Sequence, residues 1–328
     1  MTQRRSLSLG AAALPLAAPA LAHGRPLRII VPFPPGGAVD ILGRVLAERL
    51  PAALRTPVVV ENRGGAGGLI GADALAKGDR DGTMIGLISV TTLCAFPFMT
   101  SRLPFNPRTD LAPVTQITDG ALLCVVNAEK ARREGWSDFR RLVTWSRANP
   151  EQVKMGSSGT GTTSHINIEA INAEAGAKIL HVPYRGGGPA ITDLLAGTID
   201  MMFDVMPALL PHVREGRFRA LAVGSAGRVD YVPEIANVPS MGELLPGSGI
   251  DALNWWCVVA ATGTPEPAIA TMHGAIARVL AMEEVRTRLL GLTIQPMPDA
   301  TPAAFGEFWR SQVPVWRELV EASGAVAE

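Results

Sequence analysis

The chain has 328 residues, 47% of them hydrophobic, and a formal net charge of zero. The apolar content fills a core and excludes a disordered chain, and the length favours two domains. Balanced charge without a basic stripe excludes a nucleic-acid binder, whose affinity comes largely from a cationic surface.

At the N-terminus, Arg4-Arg5 precede an uncharged stretch from Ser6 to Ala22 that is rich in Ala and Leu. It closes with Ala20-Leu21-Ala22, a small-x-small cleavage pattern. Residues 1–22 read as a cleaved secretory signal of the twin-arginine type, which places the mature chain in the periplasm. The competing reading, a membrane anchor, is opposed by the shortness of the stretch and by the lack of a second apolar run of about 20 residues. Cleavage after Ala22 leaves His23 first and a near-neutral chain. Cys94, Cys124 and Cys257 sit in apolar surroundings at wide spacing. An odd count with that spacing makes no disulfide framework, so buried free thiols are expected.

Leu27 to Val31 is an apolar run that stops at Pro32. Pro34-Pro35 and Gly36-Gly37 then form a tight loop, and Ile41, Leu42, Val45, Leu46 and Leu50 recur at helical spacing. This is strand, Gly-rich loop and helix N-terminus, a place suited to an anion. Pro57 to Val60 predicts a strand, followed by the cluster Glu61 to Gly68 and a helix from Leu69 to Ala76. Thr83 to Ile88 predicts the next strand, with Ser89, Thr91 and Thr92 just past its C-terminal end. Ala112 to Ile117 and Leu122 to Val126 are further apolar runs, and the passage into a second domain falls near Asp119-Gly120. A helix is expected from Trp136 to Ala148 with Ser137 as its cap. Val153 to Gly156 is a strand, Ser157 to Thr163 a second Gly/Ser/Thr loop, and Ser164 to Ala175 a helix. Lys178 to Val182 leads into Tyr184-Arg185-Gly186-Gly187-Gly188-Pro189, where Pro189 suits a first helical turn. Thr198 to Phe203 ends at Asp204, Pro207 to Glu215 is a helix, and Arg219 to Val223 a strand. After a Pro- and Gly-rich passage, Trp255 to Ala261 is strand-like, and helices are expected at 265–281, 282–290 and 301–322. Alternating strands and helices predict parallel sheets. The C-terminal part has too few strands for its own domain, so it returns to the first.

Several chemistries fail on spacing. Gly159-Thr160-Gly161-Thr162-Thr163-Ser164 has Ser where a dinucleotide fingerprint needs its third glycine, and no P-loop occurs. Gly156-Ser157-Ser158-Gly159-Thr160 is not a nucleophile elbow. The five histidines (23, 165, 181, 212, 273) have no short metal spacing and no Cys pair is close. No cofactor and no metal is implied. What remains is three polar loops, 33–40, 157–165 and 184–190, each following a strand and opening a helix. In open α/β sheets that edge binds ligands, and each charge-assisted bond to a carboxylate is worth roughly 1.5–3 kcal/mol.

The motifs V-P-F-P-P-G-G-A-V-D, V-E-N-R-G-G-A-G-G, D-G-T-M-I-G, G-S-S-G-T-G-T-T-S-H, H-V-P-Y-R-G-G-G-P-A-I-T-D-L-L-A-G and F-R-A-L-A-V occur in this order. Together they closely resemble the extracytoplasmic solute receptors of tripartite tricarboxylate transporters, the Bug-type receptors, over nearly the whole mature chain. The resemblance implies an α/β, two-lobed periplasmic binding protein of type II-like, Venus-flytrap architecture, each lobe a mainly parallel sheet flanked by helices. Lobe 1 is expected over 23–119 and 224–328, and lobe 2 over 120–223. It also implies closure on a small organic acid, a membrane transporter that takes the ligand, and no enzyme activity; a monomer is expected. The carboxylate is then held by the first loop (Phe33, Pro34, Gly36, Gly37, Asp40) and the second (Ser157, Ser158, Gly161, Thr162, Thr163, His165), with help from water. Pro35 departs from the family's small residue and removes one N–H donor. The 238–254 segment and the doubled Trp255-Trp256 also depart.

Further candidates come from position alone: Ser89, Thr91, Tyr184 and Asp204 each follow a strand. Asp40 also suits a helix dipole, His165 a cap, and Arg185 solvent. An acidic Asp204 in a cleft repels a dianion and favours an amino or neutral group. Trp255 and Trp256 read as core. The ligand is therefore expected to be a mono- or dicarboxylate, with amino and aromatic acids included. A sensory receptor for the same ligands is a competing reading. An exported serine hydrolase using Ser158 or Ser164 with His165 is a remote one.

Overall fold

The computed structural model describes residues 25–230, 232–250 and 254–327. The export signal expected over 1–22, and His23, lie outside them. Strand β1 (Leu27–Val31) is apolar and almost wholly buried, as in the middle of a covered sheet. It ends at Pro32, and the helix Ala38–Leu54 follows, burying Val39, Leu42, Val45, Leu46 and Leu50. That three-and-four spacing is the inward stripe of an amphipathic helix. Next come β2 (Val58–Asn62), the helix Leu69–Ala76, β3 (Met84–Ser89) and β4 (Leu111–Gly120).

One residue past β4 the chain enters a second sheet as β5 (Leu122–Asn127). Then β6 (Val153–Ser157), the helix Thr163–Ala175, β7 (Ile179–Pro183), the helix Gly187–Ala196, β8 (Met201–Val205), the helix Met206–Arg214 and β9 (Phe218–Gly224) complete it. The chain returns to the first sheet as β10 (Asn254–Ala261) and β11 (Gln295–Pro296). The last helix is Pro302–Ser323.

The sheets run β11-β4-β10-β3-β1-β2 and β7-β6-β8-β5-β9. Both follow one plan: second strand, first, third, the strand that enters from the other lobe, then the fourth. β1 pairs parallel with β2 and β3, and β6 pairs parallel with β7 and β8. The entering strands, β10 and β5, pair antiparallel on both sides. The mainly parallel character therefore holds for direction, shared by β1–β4 and by β6–β9, while each entering strand runs against its neighbours. The fold is α/β and two-lobed. In each lobe the loops after the parallel strands lie at one sheet edge.

Local capping corrects one expectation. The helix expected to start at Trp136 spans Phe139–Ala148, because the Asp138 carboxylate accepts the Arg141 N–H at 2.9 Å. The Ser137 hydroxyl instead donates to Asp138. A further helix, Ala128–Glu134, stands where none was expected.

One apolar cluster runs through both lobes, from Ile30, Ile88, Trp255, Phe305 and Trp316 to Ile166, Val126, Trp136 and Phe203. The helix Pro302–Ser323 packs against Thr163–Ala175 of the other lobe. Separate clusters back each sheet on its other face. Cys94, Cys124 and Cys257 are free and completely buried, and burial pushes all three thiols up. Among the described residues no helix is long and apolar enough to cross a membrane.

Candidate ligand cleft

The three glycine loops meet. They line a cavity of about 390 Å³ together with Ser89, Thr91, Asp204, Asn254 and Trp256. The first loop is braced from behind. Gly36 holds φ +90°, a left-handed conformation suited to glycine, and its N–H donates to Asp40 Oδ2 at 2.9 Å. Arg44 Nε donates to the same oxygen at 2.8 Å, and Asn62 Nδ2 to Asp40 Oδ1 at 2.9 Å. Asn62 also donates to the Phe33 carbonyl at 3.0 Å. It reaches both because β2 pairs Asn62 with Val31, the last residue of β1. Burial works to raise the Asp40 carboxyl, but hydrogen bonds from Arg44, Gly36 and Asn62 hold it below the usual range.

The helices starting at Ala38, Thr163 and Gly187 all lack a capping side chain. Asn106, Asn127, Asp138, Ser240 and Thr301 cap helices elsewhere. The helices after Gly68, Pro265 and Met282 are also uncapped, so the pattern is not unique to the cleft. At the cleft, though, the open first turns point N–H groups and the positive dipole end toward one space. Among the described residues no Lys or Arg lines that space, and Asp204 is the one acidic side chain on it.

Asp204 is buried at the end of β8. Ser158 and Ser164 hydroxyls both donate to its Oδ2, the latter at 3.0 Å, and the Val205 N–H donates to Oδ1 at 2.7 Å. Burial raises its carboxyl, opposed by these hydrogen bonds. The second loop rests on a histidine pair. Gly161 N–H donates to His165 Nδ1 at 3.1 Å, and Ser157 Oγ lies 2.6 Å from His181 Nε2. The two rings stack at 4.3 Å and 15°. Burial pushes both down to about 4, with the neighbouring His165 ring adding to the effect at His181. Glu169 joins them, the three ligating atoms lying within 4.8 Å. Near-parallel stacked rings direct their in-plane lone pairs side by side, so this trio supports the loop rather than converging on a metal.

Of the candidate residues, Phe33, Pro34, Gly36, Gly37, Ser89, Thr91, Ser158, Thr162, Thr163 and Asp204 line the cavity. Asp40, Ser157, Gly161 and His165 stand behind it, in the contacts just described. Tyr184 also stands off it, its hydroxyl donating to Asp193 at 2.6 Å. Arg185 is exposed and off the wall. Among the described residues no histidine partners Ser158 or Ser164, and the Ser157–His181 contact lies at a fully buried serine. Trp255 is core, as expected, against Phe305. Trp256 is not: it faces the cavity and meets Phe33 edge-on at 5.6 Å. Alternation along β10 explains the split, and puts Asn254 on the same face as Trp256. The 184–190 loop, expected at this edge, contributes Gly186 to Pro189, while Leu122, Ile191, Thr192, Val205, Ala208, Asn254 and Trp256 were lining residues that sequence reasoning missed; alternation along 254–261 was the available signal for two of them.

The lobes touch across the cleft. Thr163 Oγ1 donates to Asn254 Oδ1 at 3.0 Å. A Cβ on Gly67 would stand 2.4 Å from the Thr160 carbonyl oxygen, so only glycine allows that approach.

A family model described as the tripartite tricarboxylate transporter family receptor matches residues 42–324. Protein BugT of Bordetella pertussis is 35% identical over 302 residues, covering 92% of this chain and 90% of BugT. Among solved structures, the periplasmic binding protein BugD is 28% identical with a TM-score of 0.85, covering 93% and 99% of the two chains. Rpa4515 of R. palustris, solved with adipate, is 25% identical with a TM-score of 0.84, at the same coverage. MatC (Rpa3494) of Rhodopseudomonas palustris, with bound malate, is 26% identical with a TM-score of 0.83, covering 91% and 99%.

Proposed function

The chain belongs to the tripartite tricarboxylate transporter receptor family, and from that premise we propose that it is a periplasmic solute receptor for a small organic carboxylate. The acid lies between lobe 1 (23–119 and 224–328) and lobe 2 (120–223), and contacts from both lobes favour the closed form. The loaded receptor then meets membrane transporter subunits. No bond of the ligand is broken. The observation that carries this reading is the convergence of three uncapped helix N-termini on one cavity. Backbone N–H groups there satisfy carboxylate oxygens without a full positive charge. Similar proteins solved with adipate and malate support the same ligand class. Ser89, Thr91, Thr162 and Thr163 add hydroxyls to the wall, and Asp40, Ser157, Gly161 and His165 hold the loops in place.

A thermal-shift screen of mono- and dicarboxylates, amino acids and aromatic acids tests the reading. A ligand at about 100 times its dissociation constant adds about 2.7 kcal/mol of stability, and the melting temperature rises. Gly37→Val is the site control. A Cβ at Gly37 meets only the Pro34 carbonyl oxygen, at 4.0 Å, so the variant folds and its side chain stands in the cleft. Binding is expected to be lost. Unchanged affinity in Gly37→Val would refute the site, and silence from every acid would refute the ligand class.

A further inference from the structure

We propose that Asp204, Ser158 and Ser164 form a donor-recognising corner of the cleft, so that the captured acid carries a hydroxyl or ammonium group opposite its carboxylate rather than a second carboxylate. This rests on the reading of the cleft as a carboxylate receptor and adds the chemistry of the ligand's far end.

A serine hydroxyl has one proton to give. Ser158 and Ser164 both give theirs to Asp204 Oδ2. All three side chains line the cavity. With those protons committed, the two serine oxygens offer the cavity only lone pairs, and the carboxylate has only lone pairs to offer. The side chains of the corner are therefore acceptors. Across the cavity, the first loop presents Gly37 and the opening turn of the helix Ala38–Leu54, which has no capping side chain. That side is a donor surface. A ligand spanning the two meets N–H groups at one end and acceptors at the other.

A second carboxylate suits this corner poorly. Its oxygens would face the acceptor atoms of Asp204, Ser158 and Ser164 with no Lys or Arg among the described lining residues to offset them, and acceptors left without donors in a poorly solvated site are costly. An ammonium or hydroxyl group finds its complement there. Gly187 keeps the corner open: a Cβ on it would already stand 3.6 Å from Ser158 Oγ and 3.7 Å from Asp204 Oδ2, and any longer side chain would cover them. Between the two ends the wall is apolar, with the Phe33–Trp256 pair and Leu122. The ligand body that fits is a short aliphatic or aromatic frame.

Calorimetry with length-matched pairs tests this: aminobutanoate against succinate, aminohexanoate against adipate, and para-hydroxybenzoate against terephthalate. The amino or hydroxy acid of the fitting length is expected to bind at least about tenfold tighter than its matched diacid, a difference of about 1.4 kcal/mol. Asp204→Asn, close in shape but with one carboxylate oxygen replaced by an amide donor, is expected to shrink or invert that preference. A matched diacid that binds the unaltered protein as tightly as its partner overturns the proposal without any variant. So does an Asp204→Asn protein that weakens every acid equally. If none of the acids binds, the carboxylate reading itself fails, and this inference falls with it.

Discussion

Asn62 braces the cleft from behind its surface. Its amide supplies a donor to Asp40 and another to the Phe33 carbonyl, which ties the first loop to β2. Asn62→Ala leaves a buried carboxylate oxygen one donor short, and the folded state is expected to lose about 1–3 kcal/mol. Affinity for a bound acid is expected to fall about tenfold, as the loop must then be ordered on binding. Denaturant titration and calorimetry on the same variant check the two effects; unchanged affinity would show that the loop holds its shape without the brace. Asp40 was legible as a first-turn acid suited to the helix dipole, though its bonds to Gly36, Arg44 and Asn62 were not. Asn62 was not, because only the pairing of β1 with β2 places it beside Val31. Trp256 was misjudged for a related reason: two adjacent tryptophans look alike in composition, but a strand sends them to opposite faces.

The element with the clearest pH signature is the second loop on its histidine pair. Both rings are held neutral in the fold, pushed down to about 4 from 6.5. In the unfolded chain they take protons near their ordinary value, so there the unfolded state binds more protons. Stability is therefore full above about 6.5 and is lost as pH falls toward about 4. Protonating His165 Nδ1 also removes the acceptor of the Gly161 N–H, so ligand affinity is expected to hold through the window and to drop only near pH 4, where the folded ring takes its proton. Melting temperatures and binding measured from pH 7 to 4 check this, with His181→Gln expected to flatten the stability profile. A profile already flat in the unaltered protein would rule it out. Most elements could be read from the chain because apolar runs, Gly loops and helical stripes alternate plainly. The helix Ala128–Glu134 could not, since A-E-K-A-R-R-E buries only Ala128 and Ala131 and shows no apolar stripe. The place of β10 between β3 and β4 was hidden too, because an entering strand carries no mark of its partners.

At the scale of the whole molecule, the two lobes are less independent than their matching sheets imply. The apolar cluster holding Trp255, Phe305 and Trp316 also holds Ile166, Ile171 and Phe203, and the final helix packs on the helix that opens at Thr163. Unfolding one lobe would strip cover from the other, at roughly 25 cal/mol for each Å² of apolar surface exposed. A single cooperative transition is expected, with calorimetric and van't Hoff enthalpies in agreement. Two resolved transitions would contradict the shared core. The two-lobe plan was visible as a repeated strand–loop–helix pattern. The shared core was not, because it joins segments far apart in sequence whose apolar faces look like any others.

The buried thiols have a practical consequence. Cys94, Cys124 and Cys257 are sealed from solvent, and burial disfavours the thiolate that alkylating reagents attack. The protein is thus chemically blank toward maleimides while folded. A cysteine introduced at exposed Arg185, beside the third loop but off the cavity wall, would take a fluorophore alone. The receptor would then become an optical sensor for its own ligand, with no native residue to mask first.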